Sequence, residues 1–257
     1  MVGLVTIIAI GLLLGMRHAT DPDHVIAVST IVSRERKIGR SAWIGVAWGL
    51  GHTFTILLVG SAMILFRIEL PPRAGLSMEL AVAVMLILLG LRNLSALFNW
   101  SLAPIRATSG AYHTYGDYVH SINAEYSHGH GHNPLAAIHH RFGFSKLYAF
   151  ARPFIIGVVH GLAGSAAIAL LVLSTIAKPA LAMLYLAVFG FGTVLGMMFI
   201  TVMMGSTFNY GQKRFAAVDR HLGWVAGAVS LAFGLFVAYQ IGIVDGLFRS
   251  QAHWTPR

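Results

Sequence analysis

Apolar residues in this chain come in runs too long and too regular for a soluble core. The stretches 43–66, 79–100, 181–204 and 222–244 are each almost wholly apolar. An α-helix needs about 20 such residues to cross roughly 30 Å of hydrocarbon. The stretch 153–176 has the same character, with one histidine, His160, inside it. Two shorter runs, 2–16 and 25–32, flank a polar knot and together make one interrupted span. The pattern predicts an all-α integral membrane protein of about six transmembrane helices. Its main polar connections fall at 33–40, 67–78, 101–152 and 205–221.

The knot reads His18-Ala19-Thr20-Asp21-Pro22-Asp23-His24. Pro22 lacks a backbone N–H and biases the preceding residue away from helical geometry, so the first helix is expected to break there. Asp21 as N-cap and Pro22 at the first helical position would restart it. In a continuous helix His18 and His24 would stand about 9 Å apart along the axis and roughly 120° apart around it, too far to share an ion. The break removes that constraint and lets His18, Asp23 and His24 converge. Asp21 serves either as N-cap alone or as a further ligand.

Composition strengthens the membrane reading. Of 257 residues, 56% are hydrophobic and only 11% charged, with a mean hydropathy of +0.72, whereas soluble domains carry about 25% charged residues. The net charge of +9 would suggest nucleic acid in a soluble protein. Here most Lys and Arg lie in short clusters between spans, where they set orientation, and no nucleic-acid partner is expected. With the N-terminus outside, the connections 33–40, 101–152 and 205–221 face the cytoplasm and hold most of that charge. The expected location is the cytoplasmic (inner) membrane, crossed several times. No basic segment precedes the first apolar run, which reads as mature protein rather than a signal peptide. The absence of cysteine removes disulfides, thiolate ligands and thiol nucleophiles.

The two ends of the chain echo one another. Gly15-Met16-Arg17-His18 recurs as Gly157-Val158-Val159-His160, and Trp48-Gly49-Leu50-Gly51 as Phe189-Gly190-Phe191-Gly192. Gly90-Leu91 matches Gly234-Leu235 at nearly the same offset. Each unit holds three spans, an odd number, so the halves would be inverted across the bilayer, as in many secondary transporters. Residues 1–100 are the N-terminal membrane repeat, 101–152 a His-rich cytoplasmic loop, and 153–257 the C-terminal repeat.

Ionisable groups at membrane depth are costly and mark function by default. The alternative for the knot, a polar patch at the end of a short span, leaves four such groups unexplained. His52, beside Gly51 and Thr53 in the middle of a span, is either a site residue or a satisfied interhelical histidine. His160 joins the candidates through its repeat position. Imidazole suits Zn, Cu, Fe and Ni, whereas Ca or Mg would call mostly on oxygen, so the expected ion is a first-row transition metal. His128, His130 and His132 form a low-complexity tract of the kind that binds metals weakly, or are simply a solvated loop. Met197, Met198, Met203 and Met204 are read as packing.

The seven-residue knot, with Arg17 before it, resembles the signature of the nickel/cobalt transporter family, in which four residues separate a histidine from an aspartate-histidine pair. Gly51-His52-Thr53 is similar to that family's glycine-histidine-serine/threonine motif in the following helix. The resemblance covers the spans and is nearest the compact nickel-permease branch sometimes associated with urease. It implies a non-enzymatic permease moving Ni²⁺ or Co²⁺ as cargo, with no cofactor. It also implies that His18, Asp23 and His24 are essential and that His52 contributes to selectivity. Uptake is the expected direction. Export by the same fold, a His-box metalloenzyme using His18, His24, His139 and His140, and a non-transporting metal sensor are the competing readings.

Overall fold

The computed structural model describes residues 3–33, 35, 37–66, 71–101, 112–115, 118–121, 144–161, 176, 178–214 and 216–249. Helix α1 runs over Leu4–His18 and α2 over Pro22–Val32, bent by 55° at the break between them. Helices α3 (Ile38–Phe66) and α4 (Pro72–Ser101) follow. Strands β1 (Tyr112–Tyr115) and β2 (Tyr118–Ser121) pair antiparallel, with His113 opposite His120. After them come α5 (Phe144–His160), α6 (Pro179–Arg214) and α7 (Ala216–Tyr239), the last ending in a π-helical turn at Gln240–Val244.

Among the described residues four helices are long and apolar enough to cross a membrane: Ile38–Phe66, Pro72–Ser95, Pro179–Gly211 and Leu222–Val244. The bent pair α1–α2 makes a fifth if it is counted as one span. The protein is therefore a multi-pass helical membrane protein, and its chain breaks between His18 and Pro22 as the sequence predicts. The sixth expected span, 153–176, is described only as far as Gly161, so the count of six reaches beyond the described residues.

Small residues set the helix contacts, because without a hydrophobic force between helices in lipid, close backbone approach supplies the packing energy. A Cβ on Gly15 would collide with the Phe189 carbonyl, and one on Gly196 would meet Met16, so α1 and α6 run parallel. Cβ atoms on Gly51 and Gly157 would strike the carbonyls of Phe154 and Trp48, so α3 and α5 also run parallel. Gly45 abuts Thr201 and Gly60 abuts Leu186, which makes α3 and α6 antiparallel. It follows that α1 and α5 run in opposite directions. Helices α4 and α7 pack antiparallel, Gly90 against Leu231 and Gly234 against Ala83. Helix α2 buries Ala27, Val28 and Val32 in a core with Trp48, Leu86 and Met197.

Three boundaries differ from the sequence reading. Helix α5 starts at Phe144, inside the predicted loop 101–152, and carries Pro153 within it. Phe150 and Phe154, one turn apart, stack at 5.7 Å, and Phe150 sits 5.7 Å from Trp43, so aromatic packing extends the helix past the proline. The basic connection 205–221 is mostly helical, because α6 continues through Gly211 to Arg214 and α7 begins at Ala216. The β1–β2 hairpin is the one non-helical element among the described residues. It lies in the polar region, where alternating Tyr, His, Thr and Val suit a pleated strand.

Candidate functional site

The break between α1 and α2 is tight. Thr20 N–H donates to the Arg17 carbonyl and Asp21 N–H to that of His18, at 2.8 and 3.1 Å, which turns the chain within three residues. Asp21 stands at the N-cap of α2 and Pro22 at its first position, yet the Asp21 carboxylate makes no capping bond. It accepts instead from His18 Nδ1 at 2.9 Å. Asp23 Oδ1 accepts from the backbone N–H and from Nδ1 of His24, both at 3.0 Å.

His52 comes from the middle of α3, and each residue of Gly51-His52-Thr53 has its own part in placing it. Gly51 admits the Phe154 carbonyl of α5, and Thr53 Oγ1 donates to the Gly190 carbonyl of α6 at 3.0 Å. Thr55 Oγ1 adds a bond to the Val158 carbonyl at 2.9 Å. Held on both sides, His52 brings Nε2 to 2.9 Å from His18 Nε2. His160 ends α5 as His18 ends α1, and its Nε2 lies 3.2 Å from both Asp23 Oδ2 and His24 Nδ1.

All four imidazoles are buried, between 0% and 5% exposed, with ring centroids as close as 4.0 Å for His24 and His160. Two overlapping sets emerge, His18 with His24 and His52, and Asp23 with His24 and His160, each with its ligand atoms within 4.8 Å of one another. Two nitrogens each about 2.1 Å from an ion stand at most about 4.2 Å apart, so sets this compact can close on an ion through small side-chain shifts. Carboxylates only accept, so Asp21 and Asp23 keep the protons of His18 and His24 on Nδ1 and leave each Nε2 with its lone pair. That is the carboxylate–histidine support common behind metal ligands. His24 Nε2, His52 Nδ1 and His160 Nδ1 are buried with no hydrogen-bond partner among the described residues. An unpaired buried polar group costs about 1–3 kcal/mol, a cost that an ion bound among these nitrogens would offset.

The structure thus brings together His18, Asp21, Asp23, His24, His52 and His160. Arg17 is exposed, while His128, His130, His132, His139 and His140 lie outside the described residues. Sequence reasoning missed the aromatic walls. The fully buried Trp48 stacks on His24 at 6.1 Å and meets His160 edge-on at 5.5 Å, and Phe189 flanks His18 at 5.6 Å. The signal was present, since Trp48 lies one turn before His52 and Phe189 opens the stretch Phe189-Gly190-Phe191-Gly192 that echoes Trp48-Gly49-Leu50-Gly51.

No family model matches the chain, and no solved structure matches it. A curated relative does: the chain is 34% identical over 248 residues to urease accessory protein UreH of Bacillus sp. (strain TB-90). The match takes in 96% of this chain and 97% of that one. Identity of that degree over nearly the whole of both chains means common descent and a common fold, and the chain belongs to the family of urease accessory protein UreH.

Proposed function

We propose that this protein is a secondary permease that carries Ni²⁺ or Co²⁺ across the cytoplasmic membrane, in the direction of uptake, through the histidine cluster at the break. The observation that carries the reading is the convergence of four buried histidines and Asp23 from α1, α2, α3 and α5, with three ring nitrogens that have no hydrogen-bond partner among the described residues. Such a donor set is rich in imidazole and free of thiolate, which suits Ni²⁺ and Co²⁺ better than Ca²⁺ or Mg²⁺. The motif resemblance names the same ions, and kinship with a urease accessory protein agrees with nickel.

The architecture belonging to this reading is a pair of inverted three-span halves, residues 1–100 and 153–257, around the cytoplasmic loop 101–152. Its support is a set of contacts that recur at one near-constant offset. Gly15 on Phe189 answers Gly157 on Trp48, Gly192 on Leu12 answers Gly51 on Phe154, and Gly90 on Leu231 answers Gly234 on Ile87. His18 and His160 are counterparts at the ends of oppositely directed helices, at the depth where inverted-repeat transporters hold their substrate. An inside-negative potential of about 100 mV contributes about 4.6 kcal/mol to the entry of a divalent ion, from about 2.3 per charge.

The test is radioactive nickel and cobalt flux into proteoliposomes of known orientation, comparing the wild type with His18→Ala and His24→Ala. Both variants are expected to lose at least about tenfold in flux. Undiminished flux in both would remove the cluster from the mechanism.

A further inference from the structure

We propose that the cluster holds the ion at two successive positions sharing His24, the first on His18, His24 and His52, the second on Asp23, His24 and His160. The inference rests on the transport reading above and specifies how the ion crosses the centre. Both sets are compact enough to close on an ion, and His24 is common to them. Its two nitrogens face different company. Nδ1 lies 3.0 Å from Asp23 and 3.2 Å from His160, whereas Nε2 is buried without a hydrogen-bond partner among the described residues.

A neutral imidazole has one lone pair, because its other nitrogen carries the proton. His24 therefore serves one position at a time, and the two are mutually exclusive. With the proton on Nδ1, held by Asp23, Nε2 is the donor and the first position is formed. For the second, the His24 proton moves to Nε2 and the His160 proton moves from Nε2 to Nδ1, both receiving nitrogens being unpaired. Asp23 then changes from hydrogen-bond acceptor to ligand, and no net proton is taken up or released.

The positions also point to opposite sides. The first includes the end of α1 and the second the end of α5, and these helices run in opposite directions. Passing from one set to the other carries the ion from the end of a helix that starts at one face to the end of a helix that starts at the other. Two exclusive sites built on opposed helices give each face its own.

The test separates binding from flux, using the full chain in lipid nanodiscs and ⁶³Ni²⁺ equilibrium dialysis, with His24→Ala as the blank. Wild type is expected to hold one ion above the blank. His52→Ala and His160→Ala, with His52→Asn and His160→Asn as conservative checks, are each expected to hold one ion within about tenfold of wild-type affinity and to lose flux by at least about tenfold. The double variant should match the blank. Nickel X-ray absorption below one equivalent should report only nitrogen ligands from the cluster in His160→Ala, and an added carboxylate oxygen in His52→Ala. Two ions above the blank in wild type would overturn exclusivity, and complete loss of binding in both folded single variants would mean one composite site. A wild type that follows the binding pattern yet carries no nickel overturns the transport reading and leaves the two positions standing.

Discussion

Asp21 stands where a helix cap belongs and does something else. Its carboxylate fixes His18 by accepting from Nδ1, which turns Nε2 towards His52. Asp21→Ala should therefore leave α2 in place, since Pro22 still starts it, while metal affinity falls by about 10–100-fold. Nickel titration together with circular dichroism checks this, and unaltered affinity would mean that the Asp21–His18 hydrogen bond does not support the metal site. The chemistry of the knot was legible because ionisable side chains inside apolar runs stand out one by one. Trp48 and Phe189 were not, since an aromatic in a membrane span looks like any other packing residue until the ring it touches is known. The role of Thr193 was equally hidden. It is fully buried and follows Gly192 as His52 follows Gly51, but its hydroxyl donates to the Phe189 carbonyl of its own helix.

At the level of elements, the break at Pro22 was legible because proline acts locally, through its missing N–H and its effect on Asp21. Pro22→Ala restores the N–H and favours one continuous helix, which would carry His18 and His24 about 9 Å apart along the axis. The expected result is an unchanged or slightly higher helix content with nickel affinity lowered by at least about tenfold. Retained affinity would mean that tertiary packing alone maintains the bend. The start of α5 was not legible, because the rings that extend it past Pro153 pack on Trp43, far away in sequence. The glycines give a paired prediction. Gly15→Ala and Gly157→Ala each put a methyl group into a facing backbone carbonyl, and overpacking of this kind costs about 1–3 kcal/mol. Thermal unfolding in detergent should show similar losses for the two. Gly39→Ala, with nothing within 4 Å of the added carbon, should be neutral or gain up to about 1 kcal/mol of helix propensity. A large loss at Gly15 with none at Gly157 would count against the equivalence of the halves.

For the whole molecule, orientation decides what the site accomplishes. The orientation proposed from the charge pattern has the N-terminus outside and the connections 33–40, 101–152 and 205–221 in the cytoplasm, an arrangement that needs the broken first segment to count as a single span. Because the chain has no cysteine, single substitutions can be labelled on a clean background. Ser127→Cys, beside the histidine tract, should react with a membrane-impermeant maleimide only in inverted vesicles. Lys178→Cys, exposed ahead of α6, should react only in right-side-out cells. Reaction of both from the same side would break the alternation of spans on which the inverted halves depend. An inside-negative potential favours inward movement of a divalent ion whichever way the protein faces, so on the transport reading nickel uptake into right-side-out vesicles should rise when an inside-negative potassium diffusion potential is imposed. It should fall when the potential is collapsed. Flux indifferent to the potential would mean that the charge of the ion is compensated during the crossing, and the inside-negative potential would then no longer be the driving force.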